Sequence, residues 1–340
     1  MRRINLETTK GNFITLSEAA EFLKAKDNFV ILTHQNPDGD TLGSGFGLAM
    51  LLDKMGKKAT VICPDEFPEK YSYFTSLAPQ NADFNQKTTV VAVDVADSKL
   101  LGKLEAEYAS RVELCIDHHV SNIGYAAATY LDSDAAANCE CIYDLAKALS
   151  VEIDKNLALA LYTGISTDTG CFRFSNTTAK THRIGADLIE LGIDTAEINR
   201  IMFETKSRIR VELERMALEA MEFYFEDKCA VITVTREMYE KTGCKDEDLE
   251  GITSISRSIE GVMVGVTLRE RLEGGFKISV RTYPPIDASE ICKRVGGGGH
   301  IRAAGCQLSA EFTAEQARAE ILKAVKAVME ENLAGTVTDK

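Results

Sequence analysis

The chain has 340 residues, of which 45% are hydrophobic and 27% charged, and its formal net charge is −13. This length accommodates two domains, and the negative charge argues against binding to long or duplex nucleic acid, which favours basic proteins. No apolar run is long enough to span a bilayer and the N-terminus lacks a signal-peptide pattern, so a cytoplasmic protein without a membrane partner is expected.

The first half of the chain alternates short apolar runs with helical patterns. Continuous β-branched runs predict buried strands at 28–34, 58–63, 88–96 and 111–119. Helical patterns lie at 42–56, 139–150, 155–165 and 177–192. Buried strands that alternate with helices are typical of a mostly parallel sheet flanked by helices on both faces, so the predicted fold class is α/β.

A second, smaller α/β domain is predicted in the last third of the chain. The stretch 206–224 predicts one amphipathic helix, and the domain boundaries are predicted at 1–195, a helical linker at 196–225, and 226–340. Strand patterns follow at 229–235, 262–271 and 275–283. Helical patterns lie at 247–261, at 287–295 and from Thr313 onward. Residues 251–305 contain eight Lys or Arg and five Asp or Glu, so a local positive site for a small anion is compatible with the acidic total.

Acids and histidines cluster at the ends of apolar segments in the first half, where open α/β sheets bind their ligands. These residues are His34, Asp38, Asp40, Asp94, Asp117, His118, His119 and Asp168. A turn or a strand-end histidine alone has a purely structural explanation. Asp94, which is predicted within an apolar strand, does not, because a buried carboxylate is costly unless it is paired or binds a metal.

This set of side chains favours a centre for two divalent cations. Carboxylates and imidazoles without cysteine suit Mn²⁺, Mg²⁺ or Fe²⁺ better than structural zinc. The nine cysteines are scattered with no CxxC pair, which indicates reduced thiols. Two ions roughly 3.5–4 Å apart can activate a water and neutralise a phosphoryl oxygen in one in-line displacement.

A glycine loop and an arginine predict an anion site in the second domain. The backbone N–H groups of consecutive glycines can converge on an anion, and Arg281 on the predicted strand 275–283 offers a bidentate fork for phosphate. Taken alone, the glycines also fit a flexible loop, and the arginine fits an exposed strand position. The loop consists of Gly296, Gly297, Gly298, Gly299 and His300.

Together these motifs resemble the DHH/DHHA1 phosphoesterase family. The segments "HQNPDGDTLGS", "VAVDVAD", "CIDHH" and "TGISTDTG" look like the four motifs of the DHH domain in order, and "SVRTY" and "GGGGHIRAAG" look like its DHHA1 domain. The resemblance covers nearly the whole chain. Length and domain content are most similar to those of the short bifunctional enzymes that act as oligoribonuclease (nanoRNase) and 3′-phosphoadenosine 5′-phosphate (pAp) phosphatase.

The resemblance implies an active site in the cleft between the two domains, with a role for each motif residue. It implies that one metal is held by His34 and Asp38, that the second is held by Asp40, His118 and Asp168, and that Asp94 bridges them. Asp117 then orients a histidine, His119 contacts the scissile phosphate, and the catalytic set comprises Asp94, Asp117, His118 and His119. The substrate is bound by Arg281, Gly296, Gly297, Gly298, Gly299 and His300, and manganese is the usual ion.

The implied function is a phosphohydrolase in which a metal-activated water attacks phosphorus. It degrades single-stranded oligoribonucleotides of two to five nucleotides to mononucleotides, and it converts pAp to AMP. The alternatives are a phosphodiesterase for cyclic or linear signalling dinucleotides, a single-strand exonuclease, a manganese pyrophosphatase, and a non-catalytic nucleotide-binding module. The sequence leaves the oligomeric state open, a homodimer included. Asn138 departs from the Thr or Ser common in the family, and we expect it to serve as a helix N-cap.

Overall fold

The computed structural model describes residues 12–249 and 251–334 of the chain. The chain divides into two compact units, Met1–Thr205 (unit 1) and Lys206–Lys340 (unit 2). Within the described residues, no helix combines the length and apolar character needed to cross a membrane. All nine cysteines are free thiols, and seven of them lie in or against four hydrophobic cores.

Unit 1 contains one six-stranded sheet in which all strands are parallel, in the order β1-β6-β5-β4-β2-β3. Its strands are β1 (Phe13–Ile14), β2 (Phe29–Leu32), β3 (Ala59–Ile62), β4 (Thr89–Val93), β5 (Val112–Asp117) and β6 (Thr129–Leu131). Its α-helices are α1 (Leu16–Ala25), α2 (Gly39–Lys54), α3 (Ser72–Thr75), α4 (Glu105–Tyr108), α5 (Asn138–Ala148), α6 (Lys155–Asp168), α7 (Ala179–Glu190) and α8 (Thr195–Asn199). The predicted α/β class and the parallel sheet are confirmed.

The continuous apolar runs of unit 1 arise because its sheet is covered on both faces. In β2, Phe29 and Ile31 belong to the core formed with α1, α2, α5 and α6, whereas Val30 and Leu32 belong to a core on the other face. Strands buried on both faces need apolar residues at every position rather than at alternate ones. Because β2, β4 and β5 are parallel neighbours in this sheet, their carboxyl ends lie at the same edge.

Unit 2 also contains a six-stranded sheet, in the order β11-β12-β10-β9-β8-β7, in which only β8 and β9 pair in parallel. Its strands are β7 (Met221–Tyr224), β8 (Cys229–Val234), β9 (Val264–Glu270), β10 (Phe276–Thr282), β11 (Gly298–His300) and β12 (Ala303–Leu308). Its α-helices are α9 (Arg208–Glu219), α10 (Arg236–Thr242), α11 (Ile252–Ile255), α12 (Ala288–Lys293) and α13 (Ala314–Ala334). The predicted second α/β domain is confirmed.

The prediction of a single helix over 206–224 is wrong at its C-terminal end. Helix α9 ends at Glu219, and Met221–Tyr224 forms the strand β7, which pairs antiparallel with β8. The three residues after β7, 225–227, all have positive φ and reverse the chain between the two strands. Hairpin pairing with β8 satisfies the backbone groups of β7, and an amphipathic pattern of residues alone does not reveal such pairing.

Candidate metal centre

The first predicted motif occupies the turn between β2 and α2. Asp38 is the N-cap of α2, because its Oδ1 accepts hydrogen bonds from the backbone N–H groups of Asp40 and Thr41, both at 3.0 Å. A capping carboxylate also favours the positive end of the helix dipole. The motif turn therefore fixes His34 and Asp38 at the carboxyl end of β2, with their nearest side-chain atoms, Nε2 and Oδ1, 3.7 Å apart.

Asp94 is buried at the carboxyl end of β4, but the prediction that it lies within the strand is wrong. The strand ends at Val93, and Asp94 has a left-handed backbone conformation with φ +59°. Its N–H still donates to the carbonyl oxygen of Ile116 at 3.0 Å, which ties it to the neighbouring strand β5. The left-handed turn ends the extended backbone while leaving Asp94 only 2% exposed.

The triplet at the end of β5 is organised around the fully buried Asp117. Its Oδ1 accepts hydrogen bonds from the backbone N–H groups of His118 and His119 and lies 2.9 Å from Nδ1 of His119. Its Oδ2 accepts a hydrogen bond of 2.6 Å from Nδ2 of Asn122. Burial opposes ionisation of Asp117, but His119 and Asn122 outweigh it and lower the pKa of the carboxyl group.

Backbone carbonyls determine which ring nitrogen of two histidines faces the acids. Nδ1 of His34 lies 2.8 Å from the carbonyl oxygen of Gln35, and Nδ1 of His118 lies 3.1 Å from that of Ala135. A carbonyl oxygen can only accept, so each Nδ1 carries the proton and donates it. In the neutral rings, Nε2 is therefore left as a lone-pair donor, which is the arrangement that metal-binding histidines use.

All six predicted metal ligands lie together in unit 1. Their donor atoms, together with that of His119, form three groups in which all atoms lie within 4.8 Å of one another. The groups are His34, Asp38 and Asp94; Asp40, His118 and Asp168; and Asp94, His118 and His119. Asp94 belongs to two groups and His118 to two, so the groups adjoin one another. Among the described residues, no group of this kind includes a cysteine.

The separations within these groups suit a shared cation better than direct hydrogen bonds. His34 Nε2 lies 3.5 Å from Asp94 Oδ2, and His118 Nε2 lies 3.6 Å from Asp94 Oδ1. Hydrogen bonds between nitrogen and oxygen are usually about 2.7–3.2 Å long, whereas two ligands of one ion, each about 2.1 Å from it, are about 3.0–3.7 Å apart. The buried Oδ1 of Asp94 has no hydrogen-bond partner. These residues fit a divalent cation.

The acids of the centre repel one another in the absence of a cation. Burial raises the pKa of Asp94 well above its ordinary value, and the charge of Asp40 raises it further. Burial and Asp40 also raise the pKa of Asp168 to about 7. Burial of the His34 ring opposes its charged form, but Asp38 and Asp94 outweigh this effect and raise the pKa of His34 to about 11. The site therefore attracts positive charge, whether protons or metal ions.

Asp40 also caps helix α5, and this role corrects the prediction for Asn138. Asn138 was expected to be the N-cap, but it is the first residue of α5, after Ala137. The backbone N–H groups of Asn138 and Cys139 instead donate to Oδ2 and Oδ1 of Asp40, at 2.6 and 2.9 Å. The predicted helix 155–165 ends before Asp168, but α6 extends to Asp168 as its last residue, and Oδ2 of Asp168 lies 3.8 Å from Nε2 of His118.

Two glycines allow α2 and α6 to approach closely enough for their acids to share a centre. A Cβ atom on Gly43 would lie 2.6 Å from the carbonyl oxygen of Ala160. A Cβ atom on Gly164 would lie 2.9 Å from Oδ1 of Asp40 and 2.2 Å from Sγ of Cys139. Any larger side chain at either position would force the helices apart. The short interhelical distance brings Asp40, near the start of α2, to the end of α6 that carries Asp168.

Two of the predicted anion-binding residues of unit 2, Arg281 and His300, lie in one row across its sheet. Arg281 on β10 is opposite Ala303 on β12, which is opposite His300 on β11. Directly opposed residues project from the same face of a sheet, and neighbouring strands are about 4.8 Å apart. Arg281 and His300 are therefore separated on one face by a single small residue, Ala303.

Two of the four glycines that are predicted to bind an anion use their backbone N–H groups within the protein instead. The N–H groups of Gly296 and Gly297 donate to the carbonyl oxygens of Lys293 and Cys292, where they cap the end of α12. Gly298 and Gly299 begin strand β11 rather than forming a loop. A Cβ atom on Gly297 would lie 2.3 Å from the carbonyl oxygen of Gly305, so this glycine is required by packing.

Sequence reasoning missed the residues that support the ligands. Asn122 follows the triplet by three positions, and its side chain holds Asp117. The hydroxyl group of Thr41 accepts a hydrogen bond from the backbone N–H of His34. The backbone carbonyls of Gln35 and Ala135 contact the rings of His34 and His118, respectively. The carbonyls leave no signal in the sequence. Asn122 does leave a signal, because an Asn close to a charged triplet at the end of a buried strand is expected to need hydrogen-bond partners.

Comparison with known proteins adds the family to this geometry. Residues 28–165 match the model of the DHH family, N-terminal domain, and residues 226–331 match the DHHA1 domain. A bifunctional oligoribonuclease and PAP phosphatase NrnA of Thermus thermophilus is 34% identical over 314 residues, which cover 90% of this chain and 92% of the relative. The chain belongs to the DHH/DHHA1 phosphoesterase family. It is accordingly a hydrolase of phosphoric esters.

Two further similarities cover nearly all of this DHH/DHHA1 phosphoesterase. A probable bifunctional oligoribonuclease and PAP phosphatase NrnA of Streptococcus mutans is 28% identical, over 83% of the chain and 90% of the relative. The crystal structure of an exopolyphosphatase-related protein from Bacteroides fragilis is 26% identical, with a TM-score of 0.82, and the match covers 93% of this chain and 95% of that one. The family fold therefore extends across both units.

Proposed function

We propose that this chain is a metal-dependent phosphohydrolase that degrades short oligoribonucleotides to mononucleotides and removes the 3′-phosphate of pAp to give AMP. The observation that carries the proposal is the gathering of all six predicted ligand residues around Asp94, whose buried Oδ1 has no hydrogen-bond partner. The names of relatives that align over about nine tenths of the chain support the choice of substrates. Short single-stranded substrates also suit a protein with a net charge of −13.

The proposed centre holds two divalent cations, with Mn²⁺ the expected ion and Mg²⁺ or Fe²⁺ the alternatives. The ligands of one ion would be His34, Asp38 and Asp94, and those of the other would be Asp40, Asp94, His118 and Asp168. When bound, such ions lower the pKa of water and neutralise charge on a phosphoryl oxygen. Asp40 is held in place for this role because its carboxylate accepts hydrogen bonds from two backbone N–H groups of α5.

His119 is proposed to contact the phosphate group that is attacked. Asp117 fixes the ring through Nδ1 at 2.9 Å, and the side chain remains 42% exposed, unlike that of His118 at 11%. Hydrogen bonding to Asp117 raises the pKa of His119, which favours the charged ring. A charged, fixed and exposed imidazole can donate to a phosphate oxygen without being a metal ligand. Arg281 and His300 are proposed to bind the substrate from unit 2.

The two neighbouring histidines are expected to differ when each is replaced by alanine. His118→Ala should weaken Mn²⁺ binding by about 10²-fold, because Nε2 of His118 faces three carboxylates. His119→Ala should keep Mn²⁺ affinity within a few-fold and lose about 10²-fold in kcat. Calorimetric titration with Mn²⁺ and steady-state kinetics measure the two quantities separately. Equal effects of the two variants on metal affinity would contradict the division of roles.

A panel of substrates with Mn²⁺ tests the proposed function. It contains pAp, a 5′-phosphorylated dinucleotide, a 5-mer, a 24-mer, cyclic di-AMP and pyrophosphate. We expect turnover of pAp, the dinucleotide and the 5-mer, with little on the 24-mer or pyrophosphate. Preference for cyclic di-AMP would assign the chain to the hydrolases of signalling dinucleotides instead. No turnover of any member, together with nucleotide binding, would indicate a non-catalytic module.

A further inference from the structure

An arginine outside every motif lies beside the predicted substrate-binding arginine of unit 2. The short helical turn Ser256–Ser258 rests directly on the sheet at Gly265, where a Cβ atom would lie 2.6 Å from Oγ of Ser256 and 2.8 Å from the backbone nitrogen of Arg257. Gly265 on β9 is the residue directly opposite Arg281 on β10. The absence of a side chain at Gly265 therefore brings Arg257 to the row that contains Arg281 and His300.

Arg257 is held in this position by an aromatic ring. Its guanidinium carbon lies 5.1 Å from the centroid of the Tyr283 ring, within the range of a cation–π contact. Tyr283 follows Arg281 by two positions, and its backbone N–H donates to the carbonyl oxygen of Met263 at 2.9 Å. The ring itself is 45% exposed. A stacked guanidinium keeps its N–H edge free for an anion such as phosphate.

The two guanidinium groups are close to each other and lack acidic partners. Burial lowers the pKa of Arg281, and the neighbouring charge of Arg257 lowers it further. The side-chain hydrogen bond of Arg281 goes to its own backbone neighbour, the carbonyl oxygen of Val280, at 3.1 Å. Across the part of the chain that the structure describes, neither arginine is ion-paired with Asp or Glu. Two adjacent, uncompensated cations on a half-buried surface indicate a site for an anion.

We propose that Arg257 is a second phosphate-binding arginine of unit 2 and that, with Arg281, it binds the substrate's 5′-phosphate, the phosphate that is not cleaved. This assignment rests on the proposed function, since pAp and 5′-phosphorylated dinucleotides both carry such a group. Paired arginines match the three terminal oxygens of a phosphate monoester better than the single charge of a diester. Arg257 is thus a specificity-determining residue, which selects substrates that bear a terminal phosphate.

Comparison of two substrates that differ only in this phosphate tests the inference. The ratio of kcat/KM on pAp to that on 3′-AMP should fall by about 10- to 100-fold in Arg257→Ala. The reason is that only pAp carries a 5′-phosphate, so only pAp loses the charged hydrogen bond that Arg257 donates. Arg257→Lys retains the charge and should give a smaller fall. Arg294→Ala is the matched control, because Arg294 is an arginine of the same unit that is ion-paired with Glu331 at 2.6 Å. That variant should keep the ratio of the unmodified protein.

Calorimetric binding of 5′-AMP and of adenosine separates this inference from the proposed function, because it needs no turnover. Arg257→Ala should weaken binding of 5′-AMP by about 10- to 100-fold and leave that of adenosine unchanged. An equal loss on both ligands, or an equal loss of kcat/KM on pAp and 3′-AMP, would indicate a structural role and overturn the inference. Failure of the unmodified protein to hydrolyse pAp or dinucleotides would overturn the proposed function, while 5′-AMP binding would still report on Arg257.

Discussion

An Asp94→Asn variant is expected to lose about 10³-fold of Mn²⁺-dependent turnover on pAp, while in the absence of metal it should be at least as stable as the unmodified protein. The activity falls because Asp94 contributes to two of the three groups of donor atoms. Stability is retained because Asn is the uncharged counterpart of a carboxyl group whose pKa burial and Asp40 already raise. Asn also tolerates the left-handed backbone conformation at this position better than Ala does.

Thermal unfolding with and without Mn²⁺ measures the metal contribution directly. Ligand binding to the folded state stabilises it by RT ln(1 + [L]/Kd), so a 100-fold loss of Mn²⁺ affinity removes about 2.7 kcal/mol of stabilisation at saturating metal. Asp97→Asn is the control, since Asp97 lies three residues away and caps a short helical turn through the N–H of Lys99. Turnover by Asp94→Asn within tenfold of the unmodified rate would exclude Asp94 as a shared ligand.

The sequence was sufficient to predict which acids and histidines lie close together, because each lies at or near the end of a buried strand or helix. Parallel strands bring their carboxyl ends to one edge, so residues as distant as His34 and His118 could be expected to meet. The conformation of Asp94 could not be predicted in this way. An apolar run predicts a strand through Val93 and beyond, and only the left-handed φ of Asp94 shows where the extended backbone ends.

Predictions failed where the hydrogen-bond or packing partner of a residue leaves no signal in the sequence pattern. Asp40 caps α5 across nearly a hundred residues, which no local capping pattern can indicate. The N–H groups of Gly296 and Gly297 are taken by α12, because a helix must satisfy its last carbonyl groups before a loop can bind an anion. Arg257 was missed for a related reason. Its position depends on Gly265, because only the absence of a side chain there lets the turn that carries Arg257 pack against the sheet.

Replacement of Asp117 is expected to give the largest loss of stability among the residues of the centre. Asp117→Asn retains one oxygen for the three donors at Oδ1 but turns an N–H₂ group toward Nδ2 of Asn122. Asn122 cannot rotate to accept without loss, because its Oδ1 already accepts from the N–H of Gly124 at 2.8 Å. The free energy of unfolding should fall by about 2–3 kcal/mol, measured by urea denaturation of the metal-free protein.

A reciprocal exchange of the two side chains separates the hydrogen-bond role of Asp117 from its charge. In the double variant Asp117→Asn with Asn122→Asp, the new carboxylate can accept from both the amide at 117 and Gly124, so stability should recover by about 1 kcal/mol or more. Turnover should not recover, because the negative charge no longer lies 2.9 Å from Nδ1 of His119. Recovery of both properties would mean that Asp117 acts only by shaping the strand end. Recovery of neither would mean that Asn122 is not the partner whose complementarity matters. The expected split, stability without activity, is the result that assigns Asp117 to holding a charged His119 in place.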